Sequence, residues 1–273
     1  MLDVTIRKAS MSDFFNTTVD LNYYLMKQKL IIISLFSFTV GLSQNEYDLE
    51  SLMYKDGIFL NKSDEASVNG SIYQILGDQK VILGLVVNGR KEGLWTFWYK
   101  NGRKREEGIF KEGKEVGVWK RWHDNGKMKS KRTIKFGKGE GLWTWWYYNG
   151  KKESKGTFKN GKKEGKWTFW YENGIKTKEG TFEEGELEGL WTYWNKRGQK
   201  ESEGVYKNGK GEGLWTFWHN NGQKLSEGVL KGVKKEGLWV YWDKDGHKEL
   251  EETYNLGELI SVKEWVEDSS ASE

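Results

Sequence analysis

The chain has 273 residues, with 44 Lys and Arg against 40 Asp and Glu and no cysteine. The lack of cysteine excludes disulfides, thiolate metal sites and cysteine nucleophiles, and a net charge of +4 is too balanced to favour nucleic acid as a partner. Only 36% of the residues are hydrophobic, yet there are 16 Trp, 13 Tyr and 12 Phe. This aromatic content argues against a disordered chain and indicates a thin core made of flat rings.

The first recognisable segment is the apolar run Leu30–Leu42. It is shorter than the ~20 residues that a helix needs to span a bilayer. Lys27 and Lys29 precede the run and small residues follow it, a pattern typical of a secretory signal peptide. We therefore predict a signal peptide at Met26–Ser43, with translation starting at its methionine, and export to the periplasm, the cell envelope or the exterior. An uncleaved anchor or a buried helix is the alternative, and without a signal peptide the chain stays cytoplasmic.

The rest of the chain divides by composition. Residues 1–43 are an upstream extension plus the signal peptide, and residues 44–83 are predicted to form an N-terminal cap that holds a diverged repeat at Val68–Asp78. Residues 84–265 carry the tandem repeats described next. Residues 266–273 are predicted to be a disordered acidic tail.

The repeat is marked by tryptophan at a constant spacing of 24 residues. A second Trp follows each first one by three residues, and a Gly precedes it by two. The first column comprises Trp95, Trp119, Trp143, Trp167, Trp191, Trp215 and Trp239. The second column comprises Trp98, Trp122, Trp146, Trp170, Trp194, Trp218 and Trp242. Seven copies at one spacing indicate a tandem array.

Each 24-residue unit predicts one β-hairpin. Aromatic and β-branched runs such as "WTFWY" suit a pleated strand. A turn pair, Asn-Gly in five units, follows the first Trp by six residues, and both of its residues tolerate the positive φ of a two-residue hairpin loop. Successive hairpins then continue as an antiparallel meander. The predicted fold class is all-β, an elongated, twisted antiparallel meander of tandem 24-residue β-hairpins.

The two-residue loop also predicts a register. Counting outward from Asn101-Gly102 places Trp95 opposite Gly108, and an indole opposite a strand glycine covers its bare backbone. The same count pairs Trp143 with Gly156 and Trp167 with Gly180. We therefore assign a structural role to Trp95, Trp143, Trp167, Gly108, Gly156 and Gly180.

Strand alternation sorts the side chains into two faces. Trp95, Phe97 and Tyr99 share the more apolar face, which we predict to be buried. Trp98 lies on the other face with Lys and Arg around it. The candidate binding residues are therefore in the second column: Trp98, Trp122, Trp146, Trp170, Trp194 and Trp218.

Residues suited to catalysis or metal binding do not cluster in the pattern. His123 and His219 occupy one repeat column four units apart, on the order of 40 Å, and we interpret them as replacements for Tyr. A Glu precedes the Gly of most units, which we interpret as a solvated turn face. No nucleophile and base are paired. The chain is predicted to be a non-enzyme without cofactor or metal.

The pattern Gly-x-aromatic-x-x-Gly-x-x-x-Gly-x-Trp, seen in "GTFKNGKKEGKW" (Gly156–Trp167), resembles the MORN repeat. The full unit is most similar to the bacterial variant found in proteins described as YwqK-family antitoxins. The resemblance covers roughly Gly84–Gly257, with departures at Arg132, Val233 and Glu252. It implies a single twisted sheet of hairpins and a function in holding partner proteins, membranes or membrane-associated enzymes. The bacterial variants are described as binding a toxin, which conflicts with an exported chain.

Three partner classes stay open at this point. A protein partner fits the mixed aromatic and charged surface, because Trp, Tyr and Arg dominate interface energetics. A glycan or cell-wall polymer is the alternative, because indoles stack on sugar rings, although acidic and amide residues at regular positions are missing. A membrane surface needs an exposed basic or apolar stripe. Both Trp columns could also be structural.

Overall fold

The computed structural model describes residues 45–265. The upstream extension, the predicted signal peptide and the acidic tail lie outside these residues. The described chain divides into two compact units, one of residues 45–75 with Lys80–Arg90 and one of Leu76–Gln79 with residues 91–265. Among the described residues, no helix combines the length and apolarity needed to cross a membrane.

The first unit is small and mostly β. It contains β1 (Glu46–Asp48), a 3-10 helix (Leu49–Ser51), β2 (Leu52–Lys55), β3 (Ile58–Asn61), and most of β4 (Gly70–Leu76) and β5 (Gln79–Val87). β1 pairs in parallel with β4, whereas β2 and β3 form an antiparallel hairpin. Its apolar centre includes Phe59, Val68, Ile72 and Val86, all buried.

The second unit is a continuous antiparallel meander, as the repeat predicts. Each strand pairs with the next along the chain. Its strands are β6 (Arg90–Trp98), β7 (Lys104–Lys111), β8 (Lys114–Trp122), β9 (Met128–Lys135), β10 (Lys138–Trp146), β11 (Lys152–Lys159), β12 (Lys162–Trp170), β13 (Lys176–Glu183), β14 (Glu186–Trp194), β15 (Lys200–Lys207), β16 (Lys210–Trp218), β17 (Lys224–Lys231), β18 (Lys234–Trp242), β19 (Lys248–Asn255) and β20 (Glu258–Glu264). We number the repeats 1 to 7. Repeat 1 begins at residue 90, and each later repeat begins 24 residues after the start of the one before it.

The predicted two-residue loop at Asn101-Gly102 is wrong. Tyr99 and Arg103 pair through a backbone hydrogen bond of 2.8 Å, which leaves three residues in the loop, and only Gly102 has positive φ (+77°). Asparagine suits position 101 because of its side chain and not because of a positive φ. Its Oδ1 accepts the Arg103 N–H at 3.1 Å. The two-residue turns with positive φ at both positions are at the opposite end of the hairpins, for example at Glu112-Gly113 (+51° and +79°).

The predicted register holds all the same, because a bulge compensates for the longer loop. Trp98 pairs with Lys104 and Phe97 with Glu106, so Arg105 is an extra residue on β7. From Phe97 back to Gly93, away from the loop, the pairing is therefore the one that the sequence predicts. The structure pairs Trp95 with Gly108, Trp143 with Gly156 and Trp167 with Gly180.

The Gly that precedes each first Trp by two has its own role between repeats. Glu107 pairs with Lys120 and Ile109 with Val116, so three residues of β8 stand against Gly108. Gly117 lies in this irregularity with a φ of +68°, a left-handed conformation that glycine adopts without steric cost. The motif Gly-x-Trp is thus the sequence of a bulge.

The core of the second unit is one layer of aromatic rings on one face of the sheet. This indole face carries the first Trp column and the aromatic residues two positions after it and on the neighbouring strand. In repeat 4 it holds Trp167, Phe169 and Phe182, and Trp167 is 1% exposed. Trp167 stacks on Phe169 and meets Phe182 edge to face, and Lys163 Nζ lies 4.7 to 5.3 Å from the three ring centroids. Burial in this layer lowers the pKa of Lys163, and Lys178 lowers it further.

Side-chain hydrogen bonds tie each repeat to the next. Asn101 Nδ2 donates to Asp124 O at 2.9 Å and Tyr99 Oη donates to Trp122 O at 2.8 Å. His123 takes the Tyr role, with Nε2 placed 2.9 Å from Trp146 O, which supports its interpretation as a Tyr replacement. His219 does the same toward Trp242 O at 2.8 Å.

Candidate binding face

The face opposite the core, the leucine face, carries the position before each first Trp together with the second Trp column. Leu94, Thr96 and Trp98 represent it in repeat 1. The position before the first Trp is apolar in six repeats and solvent-exposed in each of those: Leu94, Val118, Leu142, Leu190, Leu214 and Leu238. Leu142 is 53% exposed and Leu190 is 56% exposed. The directly paired residue on the next strand adds Ile109, Val205 and Val229, which are also exposed. Exposed apolar side chains therefore form a stripe along the array, with a gap at repeat 4, where Lys166 and Thr181 occupy these positions.

The second Trp column lies at the far end of the same strands and is half-buried. Trp98, Trp122, Trp146, Trp170, Trp194 and Trp218 all have intermediate exposure. A lysine from the preceding repeat covers several of these rings. Lys152 Nζ lies 5.8 Å from the Trp170 centroid, and the distance is 5.6 Å from Lys176 to Trp194 and 5.3 Å from Lys200 to Trp218. These ring faces are thus occupied by cation–π contacts within the chain.

Between the apolar stripe and the Trp column lies a row of ion pairs. In repeat 4, Thr168 donates to Glu179 at 2.9 Å, and Lys166 and Lys176 lie 2.9 and 3.0 Å from the same carboxylate. Burial raises the pKa of Glu179, but the bonds from Lys166, Lys176 and Thr168 outweigh it and bring that pKa to about 2. Glu203 and Glu227 repeat the arrangement, and the bonds from Lys200 and Lys224 lower their pKa values.

The structural residues that the sequence predicts lie on the indole face, with one correction to their contacts. Trp95 and Trp167 are buried. The indole that covers each strand glycine, however, belongs to the next repeat. An ideal Cβ on Gly108 would stand 2.2 Å from Trp119, on Gly156 2.1 Å from Trp167, and on Gly180 2.3 Å from Trp191. Trp95 is the cross-strand backbone partner of Gly108, but the ring that covers Gly108 belongs to Trp119.

Trp143 departs from its column because of Arg132. This arginine occupies the glycine position over which Trp143 would lie, and its guanidinium binds Glu106 and Glu115 at 3.1 to 3.2 Å. Trp143 is consequently half-buried, whereas the other first-column indoles are buried. The ring reaches toward Gly139 instead, where an ideal Cβ would meet it at 2.8 Å. The sequence-based prediction that Trp143 covers Gly156 is wrong.

The Glu that precedes the Gly in six of the seven repeats is a structural hydrogen-bond acceptor, which corrects its interpretation as a solvated turn face. Glu164 Oε2 accepts the Glu184 N–H at 3.1 Å, and Glu188 accepts that of Asn208 at 3.0 Å. Each donor lies 20 residues after its acceptor, at the two-residue turn that ends the same repeat. The constant Glu-Gly-x-Trp spacing was the sequence signal for this structural role.

The exposed leucines were also visible in the sequence, as the repeated "GLW". The sequence alone did not show which face of the sheet is exposed to solvent.

The comparison with known families agrees with this geometry. The sequence matches the family described as MORN repeat variant six times, at residues 91–112, 115–135, 139–160, 163–184, 187–208 and 211–231. The chain contains a tandem array of MORN repeats. The starts of the matched segments are 24 residues apart, and each MORN repeat corresponds to one hairpin and its bulge. No curated protein matched the chain.

Proposed function

We propose that this protein is a non-catalytic scaffold that binds a partner protein on its leucine face. The observation that carries the proposal is the stripe of exposed Leu, Val and Ile side chains along that face. Exposed apolar patches of this kind mark interaction sites on proteins. The neighbouring row of Lys, Glu and Thr supplies the polar rim that protein interfaces commonly have. The predicted Trp column contributes at the edge of this surface rather than at its centre.

The glycan alternative is less well supported. Stacking on a sugar requires an accessible indole face, and Lys152, Lys176 and Lys200 already lie over the rings of the next repeats. A membrane surface is disfavoured by the row of carboxylates, among them Glu179, Glu203 and Glu227, on the same face. A toxin as the partner remains an expectation from the family resemblance alone.

The test compares protein capture by matched triple variants. Leu142, Leu190 and Leu214 are replaced together by Ser, and the control replaces the exposed turn residues Phe136, Tyr148 and Leu256 by Ser. Bait protein beginning at residue 45 is incubated with the envelope fraction of the source organism, because the predicted leader places the chain there. We expect one set of proteins bound by wild type and control but lost from the leucine-face variant. Equal capture by all three baits would refute the proposal, and retention only on insoluble wall polysaccharide would favour the glycan.

A further inference from the structure

The charge of the second unit is strongly segregated along the chain. Residues 90–161, the first three repeats, contain 20 Lys and Arg against 8 Asp and Glu, a net charge of +12. Residues 162–265 contain 17 against 19, a net charge of −2. The small charge of the whole chain hides this difference. A basic segment is therefore built into an array whose other repeats are near neutral.

On the leucine face, the charge difference is seen in one row of side chains, the row of ion pairs that contains Glu179. Repeats 1, 4, 5, 6 and 7 carry a glutamate in this row: Glu107, Glu179, Glu203, Glu227 and Glu251. Repeats 2 and 3 carry Lys131 and Lys155 at the same position, and both are solvent-exposed. Within residues 45–265, neither lysine has a carboxylate oxygen within ion-pair distance, whereas Glu179 binds two lysines. In repeats 2 and 3, this row therefore carries lysines without an ion-pair partner in place of glutamates that bind lysine.

The pairing of the strands brings three lysines together. Lys120 is the direct cross-strand partner of Lys131, so their Cβ atoms are about 5 Å apart. Lys131 and Lys155 pair with Thr144 from either side, which separates them by two strands, or about 10 Å. Glu107 lies 3.9 Å from Lys120 and compensates part of its charge. The exposed side chains of Val118 and Leu142 border this lysine patch on the same face.

We propose that the lysine patch, formed by Lys120, Lys131 and Lys155, binds an acidic segment of a partner protein that also presents apolar side chains. The inference rests on the proposed function and specifies the partner's chemistry at repeats 2 and 3. Carboxylates spaced along a polypeptide match amines about 5 and 10 Å apart, and apolar side chains on the same side of that segment match Val118 and Leu142. A flat anionic bilayer fits less well, because the same face carries Glu179 and Glu203 in the adjoining repeats. Single-stranded nucleic acid gains by stacking on aromatic rings, and Lys152 already covers Trp170.

The variant that tests this proposal uses the protein's own alternative residue. Lys131→Glu with Lys155→Glu installs the side chain that repeats 4 to 6 carry at this position, so the fold is expected to persist. The control, Lys100→Glu with Lys196→Glu, changes the net charge equally at two exposed turn residues outside the face. Binding is measured by fluorescence anisotropy with a labelled peptide of about 12 residues that repeats Glu-Glu-Leu-Leu (the Glu-Leu peptide). Each side of this extended chain presents both Glu and Leu, and the peptide is long enough to cross the patch. A Glu-Ser peptide, oligo-dT and phosphatidylglycerol vesicles are compared with it.

We expect wild type and control to bind the Glu-Leu peptide equally and more tightly than the Glu-Ser peptide, with affinity falling as salt rises. The Lys131→Glu, Lys155→Glu variant should lose about tenfold or more in affinity. Undiminished binding by that variant would overturn the proposal, as would tighter binding of oligo-dT or vesicles than of the peptide. If the variant also captures the same envelope proteins as wild type while the leucine-face variant does not, the scaffold proposal stands and only the acidic-partner inference fails.

Discussion

The indole of Trp191 lies directly across Gly180 of the preceding repeat, close enough that an ideal Cβ on Gly180 would stand 2.3 Å from ring atom Cδ2. Trp191 Nε1 donates to Thr181 O at 3.0 Å, which fixes the ring in that position. The contact is tight because glycine has no side chain, and it buries the indole without a second layer of protein. One Trp and one Gly from neighbouring repeats therefore form the basic unit of this core.

Gly180→Ala is expected to lower the free energy of unfolding by about 1–3 kcal/mol, because an added methyl group must displace the Trp191 ring. The matched control is Gly211→Ala, also at a strand glycine without positive φ, where the nearest atom to an ideal Cβ is Leu230 Cδ1 at 3.0 Å. Urea denaturation of both variants measures the difference. Equal effects would mean that the close indole contact does not determine the requirement for glycine.

Trp167→Ala should destabilise the protein more than Trp143→Ala, although both occupy the first column. Trp167 is buried across Gly156, and truncating a buried aromatic side chain typically costs ~3–5 kcal/mol. Trp143 is half-buried because Arg132 blocks the place beneath it, so its loss should cost distinctly less. Thermal and urea unfolding of the two variants are the measurements. A larger effect at Trp143 would contradict the role given to Arg132.

Val233→Gly is expected to stabilise the protein. Val233 has a φ of +73°, a left-handed conformation that is strained for a β-branched residue, whereas most other repeats place glycine there. The substitution removes ~1–2 kcal/mol of backbone strain. Glycine also loses more conformational entropy on folding, so we expect the free energy of unfolding to rise by about 1 kcal/mol. Val229→Gly, in the adjacent strand, serves as the control and should destabilise. A fall in melting temperature for Val233→Gly would refute the strain argument.

Acid should weaken the fold through Glu179. Its folded pKa of about 2 is below the ordinary value of 4.5, so its ionised form contributes stability that is present above pH 4.5 and is lost as pH falls toward 2. We expect Glu179→Gln to be less stable than wild type at neutral pH and to lose less stability than wild type between pH 5 and 2. The exposed Glu183→Gln should follow the wild-type curve. The check is urea unfolding at a series of pH values, and parallel curves for all three proteins would rule out the assignment.

Much of this fold could be predicted from the sequence, because the 24-residue spacing of Trp and Gly specifies both the hairpin and its register. The pairing of Trp95 with Gly108 came from counting alone. Counting could not predict which indole covers Gly108. Strand alternation places Trp95 and Trp119 on the same face and does not show which of the two rings lies over the glycine. The exposure of Leu142 and the hydrogen bond from the turn to Glu164 also depend on three-dimensional contacts, which periodicity does not describe. Trp143 shows the limit most clearly, since its burial depends on Arg132 one strand away.

The bonds between repeats join residues at fixed offsets, such as Asn101 to Asp124 and Trp191 to Thr181. An added hairpin would consequently meet its neighbours through contacts that already exist, and a removed one would leave matching surfaces to rejoin. In the gene, the permitted step is 72 base pairs or a multiple of it. Unequal recombination between the coding segments of two repeats would lengthen or shorten the array in one event, without a new interface having to arise by point mutation. The reach of the scaffold is therefore open to rapid inherited change, while the chemistry of each repeat is adjusted separately.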